Sequence, residues 1–175
     1  WAEVIRALGI DRASLGVQTF APHCQEAIGR IQSDALIAEA TELLRNAGVK
    51  SLNFDLMYGL PQQSRDDLLA TLQRTVALGA DRIALFGYAH MPHVVPRQRA
   101  VDCRSMPDRA ARFAMAEHGF TYLCSHGFSA IGFDHFARSA TDPLAIAAQA
   151  GAVRRNFQGF TDDDAPALIG LGASA

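Results

Sequence analysis

Two polar side chains stand at the ends of otherwise apolar stretches. Asp55 interrupts the segment SLNFDLMYGLP (residues 51–61), and Gln18 ends the strand-like segment Ala13–Gln18. A carboxylate accepts hydrogen bonds, whereas an amide both donates and accepts them. Folds built of parallel strands bind their ligands beyond the carboxyl ends of those strands. Both residues are therefore candidates for a ligand site, and the residues alone leave open that they only satisfy loop amides.

Other polar groups form weaker patterns. Histidine is a common metal ligand, and His90 and His93 are three positions apart. Pro92 between them argues against a helix and no third ligand lies nearby in the sequence, so we expect no metal there. Asp134 and His135 are adjacent, and adjacent strand residues point to opposite faces. We therefore expect no acid–base dyad, although either side chain alone can line a site.

A third cluster lies near the end of the chain. Residues 154–160 (RRNFQGF) combine two arginines, an asparagine, a glutamine and two phenylalanines. Arginine pairs with carboxylates through two parallel hydrogen bonds, so this segment can clamp an acidic ligand. An exposed loop is the competing interpretation.

The elements that position these residues alternate in type. Helix-like runs end at Gly9, Gly48 and Gly79, and a strand-like run follows each glycine. Ser33 is a good cap for a helix over residues 34–47, and Ser64 with Asp67 forms a variant capping box for the next helix. Alternation of strand and helix predicts parallel strands with crossover helices.

The strand patterns favour a barrel over a doubly wound open sheet. An open sheet covered on both faces has nearly continuous apolar strands. Here one face of each strand is apolar and the other small or polar. The apolar set is Ala13, Leu15, Val17, Leu52, Phe54 and Leu56, and the opposite set is Ser14, Gly16, Gln18, Asn53, Asp55 and Met57. We predict an α/β fold, a partial (β/α) barrel with its site inside.

The second half of the chain has a different pattern. A helix is expected from about Pro107 to His126, with a possible interruption at Gly119. Residues 128–137 (FSAIGFDHFA) predict one strand, and Asp142 begins a short helix. We therefore divide the chain into a barrel part, residues 1–92, and a barrel-associated α+β extension, residues 93–175.

Composition narrows the class of protein. The chain has 175 residues, of which 49% are hydrophobic and 19% charged, so it can bury a core. A net charge of −2 gives no case for nucleic acid, and no apolar run is long enough to span a bilayer. The separated cysteines Cys24, Cys103 and Cys124 suit a reducing cytoplasm and form no CxxC or CxxxC pair. We expect a monomer, with no metal ligands in this chain. Because the chain opens on Trp1 within a helix-like run, we interpret it as a piece of a longer protein.

Five motifs together resemble one enzyme family. In chain order they are LGVQTF, NFDLMYGLP, YAHMP, GFDHFA and RNFQGFT. They are similar to those of the oxygen-independent coproporphyrinogen III oxidases (coproporphyrinogen dehydrogenases), in the radical S-adenosylmethionine (SAM) superfamily. The implied fold is the last strands of a radical SAM (β/α) barrel with a C-terminal α+β extension.

The resemblance implies an activity in haem biosynthesis. The family reduces adenosylmethionine at a [4Fe–4S] cluster, and the resulting 5′-deoxyadenosyl radical abstracts hydrogen from two propionate side chains of coproporphyrinogen III. Loss of CO₂ and an electron from each leaves vinyl groups, giving protoporphyrinogen IX. The implied partners are the porphyrinogen, an electron donor and an electron acceptor, the last two of unknown identity.

The resemblance also implies site residues. Gln18, Arg30, Asp55 and Ala89 match positions that contact adenosylmethionine in the family, and Met57 lies close to them. The substrate carries carboxylates, so charge makes the two arginines at 154 and 155 candidates for binding it.

The sequence also departs from the family pattern. The CxxxCxxC motif that holds the cluster is absent, so the cluster ligands are expected upstream of this chain and the chain alone is expected to be inactive. The tail reads RRNFQGFTD, where many relatives have His first and Tyr-Thr-Thr later. The rival interpretations are a haem chaperone of the same superfamily and a methyltransferase-like radical enzyme, neither of which is expected to carry both DHFA and RNFQG.

Overall fold

The computed structural model describes residues 1–156 and 159–172. Its strands are β1 (Arg12–Gln18), β2 (Ser51–Tyr58), β3 (Arg82–Gly87), β4 (Phe128–Ala130), β5 (His135–Arg138), β6 (Arg154–Asn156) and β7 (Gly159–Thr161). Its α-helices are α1 (Ala2–Ala7), α2 (Pro22–Ala27), α3 (Asp34–Asn46), α4 (Arg65–Ala77), α5 (Arg109–Ser125) and α6 (Pro143–Gln149). Two 3₁₀ turns, Pro96–Ala100 and Cys103–Ser105, precede α5.

The main sheet has the strand order β1-β2-β3-β5-β4. Strands β1, β2 and β3 are parallel, with α3 and α4 in the two connections, as the alternating pattern predicts. Strand β5 adds antiparallel to β3, and β4 pairs antiparallel with β5. Strands β6 and β7 form a separate antiparallel hairpin. The extension thus shares a sheet with the barrel strands, while a domain boundary at residue 92 stays a prediction.

The predicted helix signals are confirmed. The Ser33 hydroxyl accepts a hydrogen bond from the Leu36 N–H at 3.2 Å and caps α3. Ser64 and Asp67 form the reciprocal capping box of α4, with hydrogen bonds of 3.1 and 2.8 Å. Gly48 and Gly79 have φ values of +103° and +77°, the left-handed conformation that ends these helices.

The two faces of the sheet differ as predicted. Leu52, Phe54 and Leu56 are fully buried on the outer face, in a core that includes Leu72 of α4 and Leu123 of α5. Burial of a side chain of this size contributes roughly 1.5–3 kcal/mol. The opposite face carries the polar and small side chains and forms the concave inner face of the partial barrel. The core therefore holds the strands in a fixed register while leaving the inner face free for a site.

Helix α5 differs from its prediction in one respect. Asp108 accepts a hydrogen bond from the Ala111 N–H at 2.8 Å, so the helix begins two residues after Pro107. The helix continues without interruption through Gly119. The glycine is explained by packing, because the helix backbone lies close to β3 at this position. A Cβ placed on Gly119 would lie 2.6 Å from Leu85 Cδ2. This glycine serves close packing between helix and sheet.

The prediction of one strand over residues 128–137 is wrong. The segment folds back on itself as the hairpin β4–β5, closed by a hydrogen bond of 2.8 Å from the Ile131 N–H to the His135 carbonyl. The reversal falls at Gly132, where the Phe160 ring packs so closely that a Cβ would lie 2.6 Å from it. Apolar residues continue through the turn, where Phe133 is 97% exposed, so the apolar pattern alone does not reveal the reversal.

Candidate functional site

One row of residues crosses the inner face of the sheet. Gly16 of β1 is in register with Asp55 of β2, Asp55 with Ala84 of β3, and Ala84 with His135 of β5. Asp55, Ala84 and His135 of this row line a cavity of about 630 Å³, whose other polar lining groups include Ser14 and Asn53. The sheet thus places a carboxylate and an imidazole in the same cavity on either side of an alanine.

Gln18 ends β1 in an unusual conformation. The strand register shifts between Gly16 and Gln18, and Gln18 has φ +67°, a left-handed value that side-chain-bearing residues rarely adopt. The residue is 9% exposed, and its buried side-chain oxygen Oε1 has no hydrogen-bond partner among the described residues. Leaving such an oxygen unpaired costs about 1–3 kcal/mol. Strain together with an unsatisfied polar atom is typical of a ligand-binding position.

Arg30 reaches the same place from the segment after α2. Its Nη2 donates to the Gly16 carbonyl at 2.7 Å, and its Nε donates to Gln32 Oε1 at 2.8 Å. A Cβ on Gly16 would lie 2.8 Å from Arg30 Nη2 and 3.0 Å from Gln18 Nε2. The guanidinium and the amide therefore meet over Gly16, and both would have to shift if that residue carried a Cβ.

Asp55 is held by its neighbours on the inner face. Asn53 Nδ2 donates to Asp55 Oδ1 at 2.7 Å and lies 3.3 Å from Ser14 Oγ. One amide thus links polar groups on two strands and fixes one oxygen of the carboxylate. The other carboxylate oxygen accepts no hydrogen bond from the described residues. A fixed and partly unsatisfied carboxylate can accept a hydrogen bond from a ligand hydroxyl or amino group.

Sequence reasoning missed Gly16 and Asn53 as parts of this site. A glycine inside a strand was the available signal for Gly16, because it often marks close backbone approach. For Asn53 the signal was its position two residues before Asp55, which puts both side chains on one face. The structure brings Gln18, Arg30 and Asp55 together around Gly16, and their role in binding remains a prediction.

Met57 and Ala89 lie at the carboxyl end of the sheet. Met57 is half-buried against a small apolar cluster that includes Cys24 and Leu60. Ala89 follows β3, is exposed, and accepts a hydrogen bond at its carbonyl from Gln98 Nε2 at 3.0 Å. Both lie at the carboxyl ends of the parallel strands, and their part in binding stays a prediction.

The predicted arginine pair lies on the β6–β7 hairpin. Arg155 is opposite Phe160 in register, whereas Arg154 is opposite Thr161, so the two arginines are on different faces of the hairpin. Both are exposed. The Arg155 guanidinium carbon lies 5.4 Å from the centre of the Phe160 ring, a cation–π distance. Phe157 and Gln158, which belong to the same motif, lie outside the described residues.

His135 is clamped by two aromatic rings. Its ring centre lies 5.6 Å from that of Phe86 and 5.7 Å from that of Phe160, both edge to face. Burial lowers the pKa of His135, the charges of Asp134 and Asp55 oppose that shift, and Arg155 reinforces it. The imidazole makes no hydrogen bond with the described residues, including Asp134. It is a fixed and mainly neutral ring with hydrogen-bonding capacity to spare.

The described residues do not provide ligands for an iron–sulfur cluster. Cys24 is buried, whereas Cys103 and Cys124 are exposed and come from other elements. His23, Cys24 and Asp67 do have ligand atoms within 4.8 Å of one another. However, burial and then the charge of Asp67 raise the pKa of the Cys24 thiol to about 12, and Asp67 is already engaged in the α4 capping box. This triad is better explained as packing beneath a helix cap.

The fold and the site define a class of protein. Parallel strands with intervening helices and an inner-face site are the architecture of a partial α/β barrel, and residues 1–75 match the model of the radical SAM superfamily. None of the helices in the described ranges has the length and apolar character that crossing a membrane demands.

Comparison with individual proteins narrows the class. The chain is 47% identical over 174 residues, 98% of its length, to "Oxygen-independent coproporphyrinogen III oxidase" of Cereibacter sphaeroides, and spans 38% of that protein. It is 41% identical over 97% of its length to the protein of the same name from Thermostichus vulcanus and spans 52% of it. The structure superposes on the coproporphyrinogen III oxidase of Escherichia coli, described as a radical SAM enzyme, with a TM-score of 0.91 and 35% identity, over 99% of this chain and 40% of that one. The predicted resemblance and fold class are confirmed: over nearly its whole length the chain is similar to the oxygen-independent coproporphyrinogen III oxidases.

Proposed function

We propose that this chain supplies part of the adenosylmethionine and substrate sites of an enzyme that converts coproporphyrinogen III to protoporphyrinogen IX without oxygen. The observation that carries the proposal is the arrangement of Gln18, Arg30 and Asp55 around Gly16, with the buried Gln18 Oε1 left without a partner. Similarity over nearly the whole chain to enzymes of that name supports it.

The chemistry of adenosylmethionine fits these side chains. The ligand carries a carboxylate, an amino group and two ribose hydroxyls. Arg30 would pair with the carboxylate, Asp55 would accept from a hydroxyl or the amino group, and Gln18 Oε1 would gain the donor that it lacks. Met57 and the Ala89 backbone would complete this edge of the site. When bound beside a reduced cluster, adenosylmethionine supplies the radical that abstracts hydrogen from the substrate.

The substrate would lie in the inner-face cavity. Each propionate gives up one hydrogen atom, one CO₂ and one electron to become a vinyl group, so the reaction needs an electron acceptor as well as the radical. The part of this chain is to bind and orient the porphyrinogen and to exclude water from the reacting carbon. Arg154 and Arg155 are the predicted partners of its carboxylates.

The cluster itself would be held elsewhere. The cysteines described above do not fit it, so we propose that its ligands come from a segment outside these 175 residues and that the chain alone is inactive. We also propose that the enzyme acts in the cytoplasm, where such a cluster and free thiols stay reduced.

A chimera tests the function directly. We would replace the matching segment of the Cereibacter sphaeroides enzyme with this chain, reconstitute the cluster without oxygen, and add adenosylmethionine, a reductant, an electron acceptor and coproporphyrinogen III. Two successive losses of CO₂, read by mass spectrometry together with 5′-deoxyadenosine, are the expected result. An Asp55→Asn variant serves as the matched control for the site and is expected to reduce turnover.

The same chimera also distinguishes the oxidase from a haem chaperone. Tight binding of haem without loss of CO₂ would contradict the oxidase and favour a haem chaperone. Adenosylmethionine affinity that is unchanged in Asp55→Asn would show that the inner-face site binds something else.

A further inference from the structure

We propose that His135 and Arg155, which both contact the Phe160 ring, form the subsite that holds a propionate carboxylate of the substrate. The inference rests on the proposed function, because it assigns the anionic end of that substrate to named side chains. It also distinguishes Arg155, which is placed in the subsite, from Arg154, which is not.

The first support is the position of His135 on the sheet. Because neighbouring strands lie about 4.8 Å apart, the backbones of Asp55 and His135, two strands apart, are separated by about 10 Å. The residue between them is Ala84, whose short side chain leaves the space above it open. A ligand group held at Asp55 and a second ligand group held at His135 can therefore lie side by side in the same cavity.

The second support is the electrostatic division of the cavity. The negative charges of Asp134 and Asp55 act on His135 in one direction, and the positive charge of Arg155 acts on it in the other. A carboxylate is repelled from the Asp55 side and attracted to the Arg155 side, whereas the cationic sulfonium and amino groups of adenosylmethionine prefer the reverse. The two ligands of the proposed reaction thus have opposite ends of one cavity to occupy.

The third support is that the ring of His135 is fixed but not hydrogen-bonded. Phe86 and Phe160 hold it edge to face, and no described residue uses its ring nitrogens. Phe160 also contacts Arg155, so a single phenyl ring orders both groups. Gly132 allows Phe160 to seat this closely, since a Cβ at that position would lie 2.6 Å from the ring. Such ordering before binding lowers the entropic cost of holding a ligand.

The test uses the chimera described above and measures KM for coproporphyrinogen III together with the affinity for adenosylmethionine. Arg155→Gln and His135→Phe are each expected to raise KM about ten-fold or more, since a hydrogen bond to a charged group contributes about 1.5–3 kcal/mol. The affinity for adenosylmethionine should stay within about two-fold, a difference of only ~0.4 kcal/mol. Arg155→Lys, which keeps the charge, should recover part of the loss.

Two further variants locate the effect. Arg154→Gln should raise KM less than Arg155→Gln does, because Arg154 is on the other face of the hairpin. Arg65→Gln, an exposed arginine at the start of α4, controls for loss of charge alone. If His135 and Arg155 hold the same carboxylate, the double variant should raise KM by less than the product of the two single effects.

Several results would overturn the subsite. Equal effects of Arg154→Gln and Arg155→Gln, or an unchanged KM in Arg155→Gln, would contradict it while the unmodified chimera still releases CO₂ and so upholds the proposed function. Arg155 is exposed, and its variant therefore decides the matter even where His135→Phe folds poorly. A chimera that binds adenosylmethionine but never releases CO₂ would overturn both proposals.

Discussion

The inner face of the sheet carries two polar layers that are satisfied in different ways. At the amino end of the strands, Arg82 makes hydrogen bonds of 2.8 and 2.9 Å with Asp142 and one of 3.3 Å with Asp162, which also lies 3.5 Å from Arg12. At the carboxyl end, Gln18 Oε1 has no partner among the described residues. The charged side chains of the amino-end layer pair with one another. In the carboxyl-end layer, Gln18 Oε1 remains able to accept a hydrogen bond from a ligand.

The amino-end layer of the inner face stabilises the fold, whereas the carboxyl-end layer is the candidate binding site. Asp142 also accepts from the Leu144 N–H at 2.8 Å and so caps α6, while Asp162 follows β7 directly. The amino-end layer therefore fastens two elements of the extension to β3. In the carboxyl-end layer, Arg30 contacts the Gly16 carbonyl and Asn53 lies between Ser14 and Asp55, while Gln18 Oε1 keeps no partner among the described residues. Substitutions in the first layer should act on stability, and those in the second on binding.

The largest expected effect is on the amino-end layer. Arg82→Ala leaves Asp142, which is 4% exposed, as an uncompensated buried charge. Loss of one partner of a buried ion pair costs about 3–5 kcal/mol. Urea unfolding of the chain should show a loss of this size relative to the unaltered sequence. Arg74→Ala, which breaks an exposed ion pair with Asp34, is the matched control and should cost under about 1 kcal/mol. Equal losses in the two variants would remove the distinction between buried and exposed pairs.

The next effect belongs to the carboxyl-end layer. Gly16→Ala places a Cβ against the Arg30 guanidinium and the Gln18 amide, so both side chains must move. We expect adenosylmethionine affinity in the chimera to fall about ten-fold, equivalent to ~1.4 kcal/mol, as calorimetry would show. Ala77→Gly, at the exposed end of α4 and outside the lining of the cavity, should leave that affinity unchanged. An unaltered affinity in Gly16→Ala would mean that the Arg30–Gln18 contact is not part of the site.

The local signals in the sequence predicted most of the frame that holds these layers. The caps at Ser33 and Ser64 depend on residues three positions away, and the faces of β1 and β2 follow from strand periodicity. The left-handed conformation of Gln18 and the seating of Phe160 on Gly132 depend on contacts between distant segments. The division of residues 128–137 into β4 and β5 was missed for the same reason. Periodicity records which side chains are buried and does not record where the chain reverses.

Helix capping provides a smaller effect on stability. Ser64→Ala removes the acceptor for the Asp67 N–H and the donor at 2.6 Å to the Asp67 carboxylate. Loss of such a cap costs about 1 kcal/mol. The free energy of unfolding should fall by that amount in urea, while Ser64→Thr, which retains a hydroxyl, should restore most of it. A loss in Ser64→Thr as large as that in Ser64→Ala would show that packing, and not the cap, controls this helix start.

The smallest effect expected is a dependence of stability on pH that comes from His135. Burial lowers the pKa of this imidazole in the folded protein below its ordinary value of 6.5, so the unfolded chain binds a proton more readily. The contribution to stability is therefore fully present above pH ~6.5 and is lost as the pH falls through that value toward the folded pKa. His135→Phe keeps an aromatic ring between Phe86 and Phe160 but cannot take a proton. Urea unfolding at pH 7.5 and about pH 5.5 should thus show a smaller drop on acidification for the variant than for the unaltered chain. An equal drop would mean that the charges of Asp55 and Asp134 offset burial completely, and the imidazole would then be protonated as readily in the folded site as in water.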